Sequence, residues 1–217
     1  MKRIRFYLDF VSPFAYLAFE TLPRILEGLS YSIDYQPVFL GGLVKHFGQL
    51  APAEIPPKRE WTYRHVLWLA QQAGVPLQMP ATHPFNPLPL LRLSLALNPD
   101  SGPNRYVCET IFRHVWQGAN DANDEPRVQA LRAALGAPDA PVTDGKLALQ
   151  AATDMAIREG VFGVPAFIVD DKLFWGLDAL PMLRSYLAGD EFCGSDHWDA
   201  AWQAVQRVPS AIPLRTK

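Results

Sequence analysis

The chain has 217 residues, and 49% of them are hydrophobic, which is enough apolar material for one sizeable core. Its 20 basic and 22 acidic residues give a net charge of −2 without a basic or acidic block, which argues against nucleic acid and membrane partners. The two cysteines, Cys108 and Cys193, stand far apart and outside any CxxC pattern. This usage argues against a disulfide scaffold and favours a reducing, cytoplasmic setting.

The first 40 residues predict a strand, a helix and a second strand. Residues 3–10 are rich in bulky residues and alternate as a strand does. Ser12 then stands at an N-cap position and Pro13 at the first helical position, and apolar residues follow at helical spacing toward Gly28. The segment 31–39 is typical of a strand, and a right-handed crossover makes the two strands parallel.

From about 41 to 160 the pattern contains no convincing strand. Apolar residues recur at spacings of three and four, and breaks that contain proline or glycine separate the segments. For the aromatic side chains of this block, a core position is the expected one. The predicted helices are 58–73, 87–97, 104–117, 125–135 and 144–159, and the aromatic residues in question are Trp61, Trp68, Phe85 and Trp116.

The C-terminal part predicts two strands and a helix. Ala166–Val169 is a buried strand, Asp170 and Asp171 form a two-residue turn, and 173–176 returns as the second strand. A helix over 178–187 follows, and another is predicted around 196–206. The order βαβ, helical block, ββα predicts an α/β fold. Its thioredoxin-like core comprises residues 1–40 and 161–217, and its all-helical insertion comprises 41–160.

Ser12 and Pro13 begin a helix, and the start of a helix favours an anion. Free backbone N–H groups and the partial positive charge of the helix suit a thiolate there, and the Ser12 hydroxyl could donate a further hydrogen bond. The alternative is that Ser12 only caps its helix, as serine before proline does in many proteins. The dipeptide alone does not decide between the two.

Gly163, Val164 and Pro165 form a turn that leads into a buried strand. If the Val164–Pro165 bond is cis, the Val164 N–H and C=O point outward and can pair with a peptide as an added strand does. The alternative is an ordinary trans proline at the start of a strand. Asp178 also has two interpretations, because it could cap the following helix or bind the ammonium group of a ligand.

The sequence lacks the motifs of several other site types. Five histidines show no HExxH or close Cys/His grouping, so no metal site is predicted. Neither GxGxxG nor a P-loop nor GxSxG is present, which argues against nucleotide binding and against a nucleophile-elbow hydrolase.

Four segments in order resemble the 2-hydroxychromene-2-carboxylate isomerases. These proteins are close kin of the kappa-class glutathione transferases and have a DsbA-type thioredoxin fold. The resemblance extends over nearly the whole chain, and Ser12 stands where redox relatives carry cysteine. The segments are FYLDFVSPFAYLA, YQPVFLGGLVKHFG, GVFGVPAFIV and FWGLD.

This resemblance implies glutathione as the cofactor and assigns residues to it by position. Ser12 matches the serine that faces the glutathione sulfur, which makes it the catalytic residue. Val164, together with Pro165, matches the residue before the cis proline that pairs with the tripeptide backbone. Leu177 and Asp178 match the turn that holds the γ-glutamyl end.

Other positions match the family less closely. Lys58 matches a lysine near a glutathione carboxylate, although a solvated lysine is the alternative. Gln49 stands where the family usually has asparagine, and Ala179 stands where an arginine is common. Asn86, preceded by Phe85, matches a segment over the active site that would contact substrate. Asn86 could equally form an Asx turn.

The resemblance implies a homodimeric, glutathione-dependent isomerase of an aromatic pyruvate-type substrate. The reaction would convert 2-hydroxychromene-2-carboxylate into trans-o-hydroxybenzylidenepyruvate, because a thiolate can add reversibly to a conjugated double bond. The first alternative is a kappa-type transferase that consumes glutathione. A disulfide oxidoreductase is disfavoured because both exchange cysteines are missing, and a binding module without chemistry is the third alternative.

Overall fold

The computed structural model describes residues 1–98, 101–137 and 143–194, together with Trp198, Ala200 and Gln203. The strands are β1 (Lys2–Leu8), β2 (Tyr31–Pro37), β3 (Ala166–Val169) and β4 (Lys172–Trp175). They form one mixed sheet in the order β2-β1-β3-β4. Strands β1 and β2 are parallel, and β3 runs antiparallel to both β1 and β4.

Helix α1 (Pro13–Ile25) connects the two parallel strands, and the described residues between β2 and β3 contain helices and loops but no strand. A 3₁₀ turn, Leu177–Ala179, and two helices follow β4. None of the described helices is long and apolar enough to cross a membrane. The remaining helices are α2 (Leu40–His46), α3 (Pro56–Ala73), α4 (Leu88–Ala96), α5 (Arg105–Trp116), α6 (Glu125–Ala134), α7 (Thr143–Arg158), α8 (Leu180–Leu187) and α9 (Glu191–Gly194).

This architecture confirms the predicted α/β fold with a thioredoxin-like core and a large helical insertion. The Asp170–Asp171 turn also has the predicted form, with φ angles of 47° and 63° at its two residues. The predicted first strand is too long, because a turn begins at Asp9, where the backbone oxygen accepts a hydrogen bond from Ser12 N at 3.0 Å. The helix predicted around 196–206 lies almost wholly outside the described residues.

Helix α2 was not predicted, because its sequence LGGLVKH contains two glycines, which are poor helix formers. In the structure, a larger residue at either glycine would contact the Phe39 ring closely. A Cβ at Gly41 would lie 2.7 Å from the ring of Phe39, and one at Gly42 would lie 3.3 Å from both Phe39 and Thr153. The two glycines therefore make room for the Phe39 ring at the junction between β2 and α2.

One hydrophobic core runs from the sheet through α1 into the helical block. Phe85 and Trp116 are buried in it, as predicted, with exposed fractions of 8% and 0%. The prediction of core positions for Trp61 and Trp68 is wrong, because these side chains are 65% and 55% exposed. Helix α3 fully buries only Val66 and Ala70, so most of its surface, including both indoles, stays outside the core.

Candidate functional site

A cavity of about 670 Å³ opens between α1, α3 and the loops next to β3 and β4. Four residues that the sequence predicted as one site line it together: Val164, Pro165, Leu177 and Asp178. The opposite walls come from α1, starting at Phe14, and from α3. The fold thus brings the turn before β3 and the turn after β4 to the same opening.

Val164 presents an unpaired backbone to this cavity. The Val164–Pro165 bond is cis, as predicted. Neither the N–H nor the C=O of Val164 has a hydrogen-bond partner among the described residues. The next residue is fixed, because Gly176 N donates to the Pro165 oxygen at 2.9 Å and joins the two turns. An unpaired donor and acceptor on one rigid residue can bind another extended chain.

Asp178 lies in the 3₁₀ turn, is exposed, and makes no hydrogen bond or ion pair with the described residues. It does not cap α8, whose N-cap residue is Ala179 and which has no side-chain cap. The capping interpretation of Asp178 is therefore wrong. Gly176 has a φ of +99°, and a Cβ there would lie 2.3 Å from Asp178 Oδ1, so the glycine lets the carboxylate fold back over the turn.

Ser12 is the N-cap of α1, and its Oγ accepts a hydrogen bond from Ala15 N at 3.2 Å. The residue is 5% exposed, and its hydroxyl donates to no described residue. Ser12 does not itself line the cavity, but Phe14, two residues further on, does. The cap is thus confirmed as one role of Ser12, and its hydroxyl proton has no acceptor among the described residues.

The turn that holds Ser12 is anchored by the buried carboxylate of Asp9. Its Oδ1 accepts from Val11 N at 3.1 Å, and its Oδ2 accepts from Leu40 N at 2.9 Å. Asp9 is fully buried, and this burial raises the pKa of its carboxyl to about 7. The same side chain therefore connects the turn before α1 to the first residue of α2.

Two residues of the helical block hold the same turn by its backbone oxygens. His83 Nε2 donates to Val11 O at 2.8 Å, and Trp116 Nε1 donates to Phe10 O at 3.0 Å. The Tyr63 hydroxyl lies 2.7 Å from His83 Nδ1 and 3.1 Å from the His83 backbone oxygen, and burial lowers the pKa of the His83 ring. The lowered pKa favours the neutral ring, and its proton lies on Nε2 because Val11 O can only accept. Sequence reasoning missed this role, since the bonds join residues 72 and 106 positions apart.

Helix α3 contributes His65, Leu69 and Gln72 to the cavity. Their helical spacing is visible in the sequence, but spacing alone does not show that they line a cavity. The His65 ring lies between those of Trp61 and Trp68, at centroid distances of 5.8 and 6.3 Å. No described residue is hydrogen-bonded to the His65 ring nitrogens. His65 is thus a polar group of the cavity that the sequence analysis did not select.

Besides Ser12, four predicted site residues do not line this cavity. Gln49 and Lys58 are exposed, on the segment before α3 and in its first turn. Asn86 is exposed, and its Oδ1 accepts from Leu88 N at 3.2 Å, which is the Asx-type contact of the alternative interpretation. Phe85 is packed in the core. Their roles toward a ligand stay predictions.

Among the residues that the structure describes, no group of three or more His, Cys, Asp or Glu side chains could hold a metal ion. Neither cysteine lines the cavity, and burial raises the pKa of both Cys108 and Cys193. The cavity therefore presents hydrogen-bonding groups and apolar walls without a thiol of its own.

Residues 3–188 match the family described as DSBA-like thioredoxin domain. The 2-hydroxychromene-2-carboxylate isomerase of Pseudomonas putida is 30% identical over 195 residues, which cover 84% of this chain and 92% of that protein. The chain belongs to the 2-hydroxychromene-2-carboxylate isomerase family of DSBA-like thioredoxin domains. The family inferred from the four sequence segments is thereby confirmed.

The chain is also similar to a kappa-class glutathione transferase in sequence and to a solved isomerase in structure. Glutathione S-transferase kappa 2 of Caenorhabditis elegans is 25% identical over 209 residues, which cover 86% of this chain and 92% of that protein. A solved structure of a 2-hydroxychromene-2-carboxylate isomerase superposes with a TM-score of 0.73 at 22% identity, covering 95% of this chain and all of that one. The likeness of the structures confirms the fold, and the names of the sequence relatives are those of an isomerase and a transferase.

Proposed function

We propose that this protein is a glutathione-dependent cis–trans isomerase of an aromatic pyruvate-type substrate. The reaction proposed is 2-hydroxychromene-2-carboxylate to trans-o-hydroxybenzylidenepyruvate. The observation that carries the proposal is the unpaired Val164 backbone in the wall of the 670 Å³ cavity, next to a helix whose cap, Ser12, has a hydroxyl without an acceptor. These groups suit a peptide-like ligand whose backbone pairs with Val164 and whose thiolate lies at the start of α1.

Glutathione would bind along the two turns. Its cysteine backbone pairs with the N–H and C=O of Val164, and its γ-glutamyl ammonium approaches the free carboxylate of Asp178, beside Leu177. Its thiol then points to the start of α1. By resemblance, Lys58 is assigned to a glutathione carboxylate, and Gln49 is assigned to glutathione binding. Asn86 and Phe85 are assigned to the substrate on the same ground.

The bound thiol would react as a thiolate. The positive end of α1 and the Ser12 hydroxyl both favour the charged sulfur and lower its pKa. The chain supplies no competing thiol in this cavity. Glutathione therefore provides the nucleophile, and the protein provides its position and its charge stabilisation.

The isomerisation needs no oxidant or reductant. In the ring-opened substrate, the thiolate forms a C–S bond at the carbon β to the ketone, and the electrons of the double bond move to the ketone oxygen. The former double bond is now single and rotates. The enolate returns its electrons, the C–S bond breaks, and the thiolate is restored. Each turnover therefore leaves the amount of glutathione unchanged.

The test combines calorimetry with a stoichiometric assay. We expect native protein to bind glutathione in the millimolar range or tighter, and to isomerise trans-o-hydroxybenzylidenepyruvate only in its presence. Total free thiol should be constant throughout the reaction. The absence of glutathione binding at millimolar concentration would remove the nucleophile and with it the proposed function.

A kappa-type glutathione transferase is the second candidate, and the kappa-class relative of 25% identity favours it. It would use the same cofactor site but form a stable thioether. Loss of free glutathione equal to the product formed would identify this activity. An insulin-reduction assay should be blank under either function, because Ser12 has replaced the cysteine that disulfide exchange needs.

A further inference from the structure

A second cavity, of about 280 Å³, lies between α4 and α7 and is bounded by Phe39, just beyond the end of β2. Leu88 and Leu149 give it apolar walls, and Arg92 and Lys146 give it two positive charges. None of the residues predicted for the site lines it. A cleft with apolar walls and two cations is suited to an organic anion.

Arg92 has a buried donor that can bind a ligand. Its Nε has no hydrogen-bond partner among the described residues. Asp154 lines the same cavity, yet neither Arg92 nor Lys146 forms an ion pair with it or with any other described carboxylate. A buried donor on a charged group is costly when left unpaired, and a guanidinium matches the two oxygens of a carboxylate.

The second cavity is connected to the turn that carries Ser12. Thr153, in its wall, accepts a hydrogen bond from Phe39 N at 3.0 Å. The next residue, Leu40, donates to Asp9 Oδ2 at 2.9 Å, and the backbone oxygen of Asp9 accepts from Ser12 N at 3.0 Å. These hydrogen bonds link the wall of the second cavity, through Asp9, to the turn that carries Ser12.

We propose that this second cavity binds the carboxylate end of the aromatic 2-oxo acid substrate, with Arg92 as the residue that pairs with the carboxylate. The assignment rests on the proposed function and adds to it the group that recognises the acid. Lys146 adds a second positive charge, and Phe39, Leu88 and Leu149 cover the carbon skeleton. Because glutathione also carries carboxylates, the experiment must separate the two ligands.

The decisive variant is Arg92→Met, with Arg158→Met as its matched control. Arg158 is exposed on α7 outside the cavity, so its replacement removes the same charge without touching the site. Two substrates are compared at saturating glutathione: trans-o-hydroxybenzylidenepyruvate and o-hydroxybenzylideneacetone, which lacks the carboxylate. Arg92→Met should raise KM for the acid roughly ten- to hundredfold, as expected for a lost hydrogen bond to a charged group. KM for the ketone and the Kd of glutathione should stay within about twofold.

Calorimetry with the acid alone makes the test independent of turnover. Native protein and Arg158→Met should bind trans-o-hydroxybenzylidenepyruvate equally without glutathione, and Arg92→Met should bind it weakly. If this pattern is observed but glutathione does not bind, the result supports the carboxylate site and contradicts the proposed function. Failure of the native protein to bind the acid, an equal rise of KM for acid and ketone, or a selective loss of glutathione affinity would each overturn the proposal. Arg92→Lys, which keeps the charge, serves if Arg92→Met fails to fold, and should show a smaller rise of KM for the acid alone.

Discussion

At the scale of single residues, Ser12 combines a structural contact with an unused donor. Its Oγ accepts a hydrogen bond from Ala15 N and so caps α1, while the hydroxyl proton has no acceptor among the described residues. Under the proposed function this proton is donated to the glutathione thiolate. The two roles are compatible, because a hydroxyl can accept and donate at the same time.

Replacement of Ser12 by alanine should therefore lower both activity and stability. Loss of the hydrogen bond to a charged sulfur is worth roughly 1.5–3 kcal/mol, which corresponds to a tenfold to hundredfold lower rate. Loss of the cap should cost about 1 kcal/mol of unfolding free energy. The measurements are turnover against pH at saturating glutathione, and denaturant unfolding. The acidic limb of the pH profile should move to higher pH in the variant.

Asn104→Ala separates these two effects. Asn104 caps α5 by accepting from Val107 N at 3.0 Å, and it is not part of the candidate site. This variant should lose similar stability and keep its turnover and pH profile. If Ser12→Ala behaves in the same way, Ser12 is a helix cap only, and backbone N–H groups must stabilise the thiolate.

Asp178→Ala should weaken glutathione binding without a loss of stability. The carboxylate is exposed and bonds to no described residue, so it contributes nothing to the cap of α8. Its ion pair with the γ-glutamyl ammonium, at an exposed position, is worth roughly 0.2–1 kcal/mol, up to about a fivefold rise in Kd. Calorimetry and a thermal melt measure the two quantities. A lower melting temperature with unchanged Kd would contradict the assignment, and Asp178→Asn should match the alanine variant.

At the scale of elements, the turn between β4 and α8 depends on Gly176. Its φ of +99° is unfavourable for other residues, and a Cβ would meet Asp178 Oδ1 at 2.3 Å. Gly176→Ala should therefore displace the carboxylate and weaken glutathione binding, in addition to losing about 1–3 kcal/mol of stability from the backbone strain. Calorimetry and denaturant unfolding test both parts.

Gly189 provides the control for this prediction. Its φ is +90°, and a Cβ there would meet nothing within 4 Å. Gly189→Ala should lose comparable stability and bind glutathione as the native protein does. Equal binding by both alanine variants would show that Gly176 serves only the conformation of the chain.

At the scale of the whole molecule, Asp9 gives stability a specific pH dependence. Burial raises the pKa of this carboxyl to about 7 in the folded protein, while the unfolded chain has the ordinary value near 4. Between these values the folded state holds one proton more than the unfolded state. The contribution of Asp9 to the unfolding free energy should therefore fall as the pH rises from about 4 to 7, and then level off.

The comparison of native protein with Asp9→Asn isolates this effect. Burial also lowers the pKa of His83 and His114, but both histidines are present in each protein, so their contributions cancel in the difference. The difference in unfolding free energy, native minus variant, should decrease between about pH 4 and 7. A difference that is constant over this range would show that the pKa of Asp9 is not raised. Denaturant unfolding at several pH values provides the measurement.

Much of the fold follows from local patterns. Alternating residues, helical spacing and proline or glycine breaks predicted the four strands and most of the helices. Each of these patterns reflects the backbone conformation of a short segment, which residues close in sequence largely determine. Helix α2 escaped this reasoning, since Gly41 and Gly42 are poor helix formers that serve a contact with Phe39. Trp61 and Trp68 were misplaced because spacing shows which side chains share a face and does not show what covers that face.

The sequence by itself determined the family, the order of the elements and four residues that meet in one cavity: Val164, Pro165, Leu177 and Asp178. The resemblance to the family grouped these four residues, and the pairing of β3 with β4 brings the turns that carry them together. Only the tertiary structure revealed that His83 and Trp116 hold the turn of Ser12 and that the buried Nε of Arg92 has no acceptor. These features depend on contacts between residues distant in the chain, and no local pattern records which distant atom a polar side chain will meet.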